Sequence, residues 1–327
     1  MIRIALLLLA IGGCLPGQTK SWTPPKTAWG DPDLQGMWPG NMGVPLQRPE
    51  NLGTRTTLTD AEFAQKEAQA KKQAQADSQS TAASDSVGIG PPSYWVERGT
   101  PTRQTSLIID PPNGRLPPLT PEEQDRRKSA RGGKGFPGEW RGEAGSYEDL
   151  NIYYRCITRG VLGSIIPVIY NNGNEILQAP GYVIIRNEMI HETRVIPVDG
   201  RPHVSATIRQ YMGDSRGHWE GNTLVIETTN FTDKDGLGSN GAGYPGDPGH
   251  HSADLKLTER LTRVDANALN YEATVDDPKT WTKPWTIRIG LQRNEKYQLF
   301  EYACHEGNIA MGDILSGARA EENKETK

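Results

Sequence analysis

The stretch ALNYEATVDD, residues 268–277, alternates apolar and polar side chains along its length. A second stretch, WTIRIGLQ at residues 285–292, repeats the alternation. Successive side chains of an extended chain point to opposite faces, so a period of two indicates a strand with one buried and one solvated face. Both stretches therefore predict antiparallel strands. Their expected buried residues are Leu269, Tyr271, Ala273, Val275, Trp285, Ile287, Ile289 and Leu291.

Similar short runs, separated by turn residues, recur through residues 151–310. No helical pattern separates them, so the sequence predicts a mainly β protein whose C-terminal half is an antiparallel meander. Because consecutive hairpins dominate, we expect the meander to close into a lipocalin-like β-barrel. The predicted strands are 166–170, 174–178, 182–185, 188–197, 204–212, 217–220, 223–229, 254–264, 268–275, 284–293 and 297–304.

Residues 18–150 are expected to form an extended, irregular N-terminal region, because Pro and Gly are plentiful there. Two short helices are predicted within it. The first begins with a capping box at Thr59 and runs into a low-complexity linker, the whole covering 59–86. The second begins at Thr120, where Pro121 occupies the first helical position. At the other end of the chain, residues 311–327 are predicted to be a charged tail.

The N-terminus reads MIRIALLLLAIGGCLPG, with a basic residue ahead of a short apolar run. This pattern predicts a signal peptide over 1–17 and a periplasmic or secreted protein. An alternative is lipidation at Cys14, since IGGC resembles a lipoprotein box, which would give an outer-membrane lipoprotein. Membrane contact is expected only through such an anchor. The net charge of −4 and the lack of a basic stripe exclude nucleic acid as an expected partner.

Two cysteines remain beyond the leader, Cys156 and Cys304. In an oxidising compartment a single pair predicts one disulfide bond. The alternatives are a buried free thiol and a metal ligand.

Three histidines, His191, His203 and His305, lie in different predicted segments. If they converge, they would form an open three-His site for zinc or another divalent ion that activates water. Without metal, His191 or His305 could perform acid–base chemistry beside Glu192 or Glu306. The competing interpretation is that each histidine is a hydrogen-bonded structural residue.

Glu192 and Arg194 lie two residues apart on one face of a predicted strand, among isoleucines. This placement predicts a paired carboxylate and guanidinium that line a semi-buried surface.

Several motifs together resemble a large family of secreted bacterial proteins, abundant in acidobacteria and some proteobacteria. They are RQTSLIIDPPNGRLPPLTPE, YYRCITRGVLGS, NEMIHETRVIPVDGRPH, RQYMGDSRGHWEGNTLVIETTNF, TERLTRVDANALNYEATVDDPKTWTKPWT and YACHEGN. The resemblance covers most of residues 30–320. It implies export but no particular reaction, since no activity is established for that family. One departure is Lys256, which stands where the family pattern often has a His.

The polar residues within these motifs are the further candidates that the resemblance implies. Arg155, Asp214 and Arg216 are expected to bind a ligand. The remaining motif residues are Cys156, His191, Arg194, His203, Cys304, His305 and Glu306.

Three functions fit the sequence. The first is a β-barrel protein that binds a small organic ligand in a polar-lined pocket, oriented by groups such as Arg194 and Glu192. The second is a hydrolase or lyase that acts on a carbohydrate or aromatic substrate through the three histidines, with or without metal. The third is a surface-anchored interaction module that has no pocket.

Overall fold

The computed structural model describes residues 22–79, 93–131, 145–150, 152–234, 236–237 and 249–325. The predicted signal peptide 1–17, its Cys14, and linker residues 80–86 lie outside the described residues. The helices are α1 (Asp60–Gln79), α2 (Pro121–Arg131), α3 (Val161–Ile165) and α4 (Ala310–Glu325). The strands are β1 (Gly36–Met37), β2 (Ile108–Asp110), β3 (Asn174–Ala179), β4 (Tyr182–Asn187), β5 (Thr193–Pro197), β6 (Asp214–Glu220), β7 (Thr223–Thr229), β8 (Lys256–Arg263), β9 (Ala268–Asp276) and β10 (Trp285–Gln292).

Two antiparallel sheets organise these strands, which confirms the mainly β prediction. The smaller sheet has the order β1-β3-β4-β5, and the larger has the order β2-β10-β9-β8-β7-β6. From β3 onward each sheet follows the chain hairpin by hairpin, as the meander prediction requires. Hydrogen-bonded strand pairing among the described residues gives two sheets and does not join them into one closed ladder.

The alternation that predicted β9 and β10 places their apolar side chains in the core. Leu269, Tyr271, Ala273 and Val275 are fully buried, and Trp285 lies opposite Val275 in the register. Burying a large apolar side chain is worth about 1.5–3 kcal/mol, so this shared face stabilises the large sheet. The polar positions point outward, where Glu272 forms a cross-strand ion pair with Arg288.

Three predicted strands are not strands. Segment 166–170 follows α3 directly, and Pro167 lacks the N–H that a sheet ladder needs. Segment 204–212 turns instead of extending, because the Asn230 side chain donates to three of its carbonyl groups. Segment 297–304 hydrogen-bonds to side chains; the Phe300 N–H, for example, donates to a Glu188 carboxylate oxygen.

The predicted charged tail, 311–327, is mostly helical. α4 packs Met311, Ile314, Leu315 and Ala318 against Leu150. The spacing of three and four residues is that of an amphipathic helix, which the many charged residues obscure in the sequence.

The two predicted N-terminal helices are confirmed as α1 and α2. α1 has the expected capping box, because the Glu62 N–H donates to Thr59 Oγ1 and the Thr59 N–H donates to Glu62 Oε2. No residue of α1 is buried.

Candidate functional site

A cleft of about 690 Å³ lies at the end of the smaller sheet where β3 begins and β4 ends. Its lining comes from four segments: the turn that contains Trp95, the loop before β3, the turn after β4, and the segment after β10. Side chains far apart in the sequence therefore meet there. The cleft combines four aromatic rings with two carboxylates, from Trp95, Tyr170, Tyr297, Phe300, Glu97 and Glu188.

Two of the aromatic rings are largely open to solvent. Trp95 is 56% exposed and Phe300 is 66% exposed. Tyr170 and Tyr297 are half-buried. Large apolar side chains that stay exposed around a concave surface are typical of a binding site.

A strained turn places Glu188. The Glu188 N–H donates to the Gly173 carbonyl at 2.9 Å, which joins the end of β4 to the loop before β3. Ile190 and His191 then follow with φ values of 57° and 45°. A left-handed conformation is rare for a β-branched residue, so surrounding contacts must hold the turn in place.

Tyr297 lies between the two carboxylates. Its hydroxyl is 2.8 Å from Glu97 Oε1 and 2.7 Å from Glu188 Oε2. A phenol has one proton and can donate it to only one acceptor at a time. Burial, followed by the hydrogen bonds to Glu188 and Glu97, raises the pKa of Tyr297. The hydroxyl therefore stays protonated at neutral pH, and two carboxylates share a single donor.

The remaining donors to Glu97 are all neutral. The backbone N–H groups of Asn171 and Asn172 donate to Oε1 and Oε2 at 3.1 and 3.0 Å. The Asn172 side-chain amide adds a bond of 2.9 Å to Oε2. Glu97 is thus fixed by the loop before β3.

Glu188 also accepts only from neutral groups. Its Oε1 accepts from the Asn171 amide at 2.9 Å and from the Phe300 N–H at 3.0 Å. Its Oε2 accepts from the Gly173 N–H at 3.2 Å. Glu188 therefore ties the loop before β3 to the segment after β10, and it does so from a position only 3% exposed.

Neither carboxylate has a cationic partner in the described parts of the chain: no Lys, Arg or His nitrogen lies within 4.0 Å of Glu97 or Glu188. Buried charges in proteins are normally paired, because an uncompensated charge in a medium of low polarity is costly. The cleft therefore holds two carboxylates without a paired cation, against the single Lys296 in its lining.

A cluster of phenols continues from the cleft toward the disulfide. Tyr302 is hydrogen-bonded through its side chain to Tyr153 and Tyr170, and burial raises its pKa. Tyr170 belongs to both the cluster and the cleft wall. His191 contacts the same segment, since its Nδ1 lies 3.1 Å from the Tyr302 carbonyl oxygen.

The predicted disulfide between Cys156 and Cys304 is confirmed, with a Cα–Cα distance of 5.6 Å. His305 and Glu306, which follow it, are exposed. Arg155, which precedes Cys156, places its guanidinium carbon over the Tyr147 ring, 5.1 Å from the ring centroid.

The predicted pairing of Glu192 with Arg194 is replaced by another ion pair. Arg194 Nη1 and Nη2 donate to Glu259 Oε2 and Oε1 at 2.7 and 2.8 Å, and both residues are buried. Alternation along β5 turns Arg194 toward the interior, where Glu259 of β8 is the nearer carboxylate. Burial raises the pKa of Glu192, which hydrogen-bonds Thr158.

The structure brings three other candidates together on the larger sheet. His203 Nδ1 lies 2.8 Å from Asp214 Oδ2, and Arg216 Nη1 lies 2.7 Å from Asp214 Oδ1. The carboxylate fixes the orientation of the imidazole, an arrangement that can support proton transfer. None of the three lines the cleft described above.

The three-His metal site is not assembled. Across the part of the chain that the structure describes, no three or more His, Cys, Asp or Glu residues are grouped so that they could hold a metal ion. His191 contacts the Tyr302 carbonyl and His203 contacts Asp214, so the two rings have different hydrogen-bond partners.

Glu97, Glu188 and Tyr297 were not candidates from the sequence. Each stands alone in its segment, and the segments meet only through hydrogen bonds between distant parts of the chain. The one usable signal is Glu188, a charged residue that begins the predicted strand 188–197 inside the motif NEMIHETRVIP.

Comparison with protein-family models, with curated proteins and with solved structures finds no match for this chain. Within the described ranges, no helix combines the length and the apolar character needed to cross a bilayer.

Proposed function

We propose that this is an exported protein that binds a small organic ligand in the cleft between Trp95, Tyr297 and Phe300. The observation that carries the proposal is a cavity of about 690 Å³ with exposed aromatic walls and a floor fixed by hydrogen bonds. Small-molecule sites are typically concave, mostly apolar, and hold a few well-placed polar groups in about 300–1,000 Å³.

Preorganisation supports this proposal. The floor residues Glu97 and Glu188 are held by backbone N–H groups and amides, so the cleft does not have to assemble when a ligand arrives. The ordering cost of binding is smaller for such a site. The disulfide at Cys304 further restricts the segment that supplies Tyr297 and Phe300.

We infer that the protein is exported, either to the periplasm or out of the cell. The Cys156–Cys304 disulfide supports it, since such bonds persist in oxidising compartments. The apolar N-terminal run supports it independently. Lipidation at Cys14 is the alternative to removal of residues 1–17 and would anchor the protein to a membrane surface.

A barrel-like arrangement of the two sheets is also proposed. Two contacts support it. A Cβ atom added at Gly217 of β6 would come within 2.8 Å of Val198, just after β5. The Asn294 N–H, after β10, donates to the Met37 carbonyl of β1 at 3.0 Å. One continuous apolar cluster fills the space between the sheets, so we assign the ligand to the end of the smaller sheet and not to a lumen.

Ligand-observed NMR tests the proposal. The purified full chain is screened against a library of small polar and aromatic compounds, with the wild type and Trp95→Ala measured in parallel. Hits that lose saturation transfer in Trp95→Ala are expected. Trp29→Ala is the matched control, because Trp29 is 39% exposed and does not line the cleft. Hits that persist in Trp95→Ala, or an absence of hits, would reject the cleft as the binding site.

A further inference from the structure

We infer that the ligand of the cleft carries a quaternary ammonium group. This inference rests on the proposed function and adds the chemical class of the ligand. It follows from three features of the cleft: its charge, the saturation of its acceptors, and its aromatic faces.

The charge of the cleft favours a cation. Glu97 and Glu188 accept hydrogen bonds only from neutral donors, as described above. Lys296 lines the cleft but lies outside ion-pair distance of both carboxylates. The negative charge exceeds the positive charge, so the cleft attracts a positively charged group.

The carboxylate acceptors of the cleft are already occupied, which selects among cations. Each carboxylate has about four lone-pair directions. In both carboxylates every lone-pair direction faces a donor. The one exception arises at Tyr297, whose single proton can serve only one of the two carboxylates at a time. A primary ammonium would give up its hydration and find no free carboxylate lone pair for its N–H groups. A quaternary ammonium has no N–H group to satisfy.

The aromatic faces provide the direct contact. A cation over the face of an aromatic ring is attracted by the ring quadrupole, most strongly for Trp, and choline-like groups are bound in this way. Trp95 and Phe300 present their rings to solvent on the wall of the cleft. The carboxylates beneath then act through the electric field, without direct hydrogen bonds to the ligand.

Three probes separate charge from shape: choline, the alcohol of nearly equal size in which carbon replaces its nitrogen, and the smaller primary amine ethanolamine. Each is titrated into the full chain and followed by NMR or calorimetry. We expect choline to bind about tenfold more tightly than the neutral alcohol, from a cation–π contribution of the usual size. Ethanolamine is expected to bind more weakly than choline.

Trp95→Leu and Phe300→Leu retain apolar bulk but remove the ring. Both should lower the affinity for choline toward that of the neutral alcohol, whose own affinity should change less than twofold. Both positions are exposed, so these variants are expected to fold. Trp29→Leu is the control and should leave all affinities unchanged. Lys296→Gln should tighten choline binding, because it removes a like charge from the cleft wall.

Equal affinities for choline and the neutral alcohol, both reduced in Trp95→Leu, would overturn the inference and leave the proposed function standing. Tighter binding of ethanolamine than of choline would overturn it in the same way. If choline fails to bind but the library screen yields cleft ligands, the ligand class is wrong. If neither experiment yields a cleft ligand, the proposed function fails as well.

Discussion

Arg194 and Glu259 form a doubly hydrogen-bonded ion pair that joins the two sheets through the interior. The two bonds are 2.7 and 2.8 Å long, and the Tyr271 hydroxyl donates a third bond to Glu259 at 3.0 Å. Arg194 is 6% exposed and Glu259 is fully buried. The pair is therefore a structural contact, and it removes Arg194 from the candidates for catalysis.

Removing one partner should be far more harmful than removing both. Glu259→Leu leaves a buried guanidinium without a carboxylate, and the free energy of unfolding should fall by about 3–5 kcal/mol. The double variant Arg194→Met with Glu259→Leu should recover much of that loss, as measured by urea unfolding. Glu272→Gln breaks an ion pair on the outer face and serves as the control, with a cost below about 1 kcal/mol. A double variant no more stable than Glu259→Leu would contradict this account.

The disulfide should contribute strongly to stability because it closes a loop with a sequence separation of 148 residues. On the chain-entropy model, a loop of this size stabilises the folded state by about 4–5 kcal/mol. We expect Cys156→Ser with Cys304→Ser to lower the free energy of unfolding by nearly that amount. Alkylation of the denatured, unreduced wild type provides the covalent check, and a fully modified Cys304 would refute the bond.

The strands were predictable because their signal is local. Alternation along 268–276 and 285–292 depends only on neighbouring residues, and the structure buries Tyr271 and Ile287 as expected. Segment 297–304 has a similar composition but forms no strand, since its partners are side chains such as Glu188. Those partners come from distant parts of the chain, and alternation carries no information about them.

The candidate site was predictable only in part. The disulfide follows from cysteine count and compartment. His203, Asp214 and Arg216 were each candidates, but the sequence did not predict that they meet, since His203 belongs to a different motif from the other two. The cleft was not predicted either, because Glu97, Glu188 and Tyr297 come from three distant segments that meet through tertiary hydrogen bonds. A lone glutamate in a sequence is most often a solvated surface residue.

His251 should make stability depend on pH. It is 1% exposed, and burial lowers its pKa from 6.5 to about 4, with the neighbouring His250 acting in the same direction. Between about pH 6.5 and pH 4, His251 is therefore protonated in the unfolded chain and neutral in the folded chain. The free energy of unfolding should fall by about 3 kcal/mol as pH drops through that window and should be insensitive to His251 above it.

The matched variant is His251→Gln, which can keep a hydrogen bond to the Ser252 carbonyl but cannot titrate. Urea unfolding from pH 7 to pH 4.5 should show a shallower slope for this variant than for the wild type. His218→Gln is the control, because that ring is exposed on the outer face of β6. An unchanged slope in His251→Gln would exclude burial of this imidazole as the cause.

Gly173 should be indispensable to the floor of the cleft. A Cβ atom there would lie 2.6 Å from the Tyr297 ring and 2.8 Å from Glu188 Oε2, and would also meet Leu299. Gly173→Ala should lower the free energy of unfolding by about 1–3 kcal/mol and abolish ligand binding. Gly290→Ala is the control, because a Cβ atom there meets no atom within 4 Å. This variant should retain both its stability and its ligand binding. Ligand binding that survives in Gly173→Ala would remove this floor from the site.

Intermolecular nuclear Overhauser effects between choline and the full chain test the location of the site most directly. We expect contacts from the choline methyl protons to the ring protons of Trp95, Tyr297 and Phe300, all of which line the cleft. Contacts confined to rings elsewhere, such as Trp22 or Trp29, or no contacts at ligand concentrations that saturate binding, would contradict it.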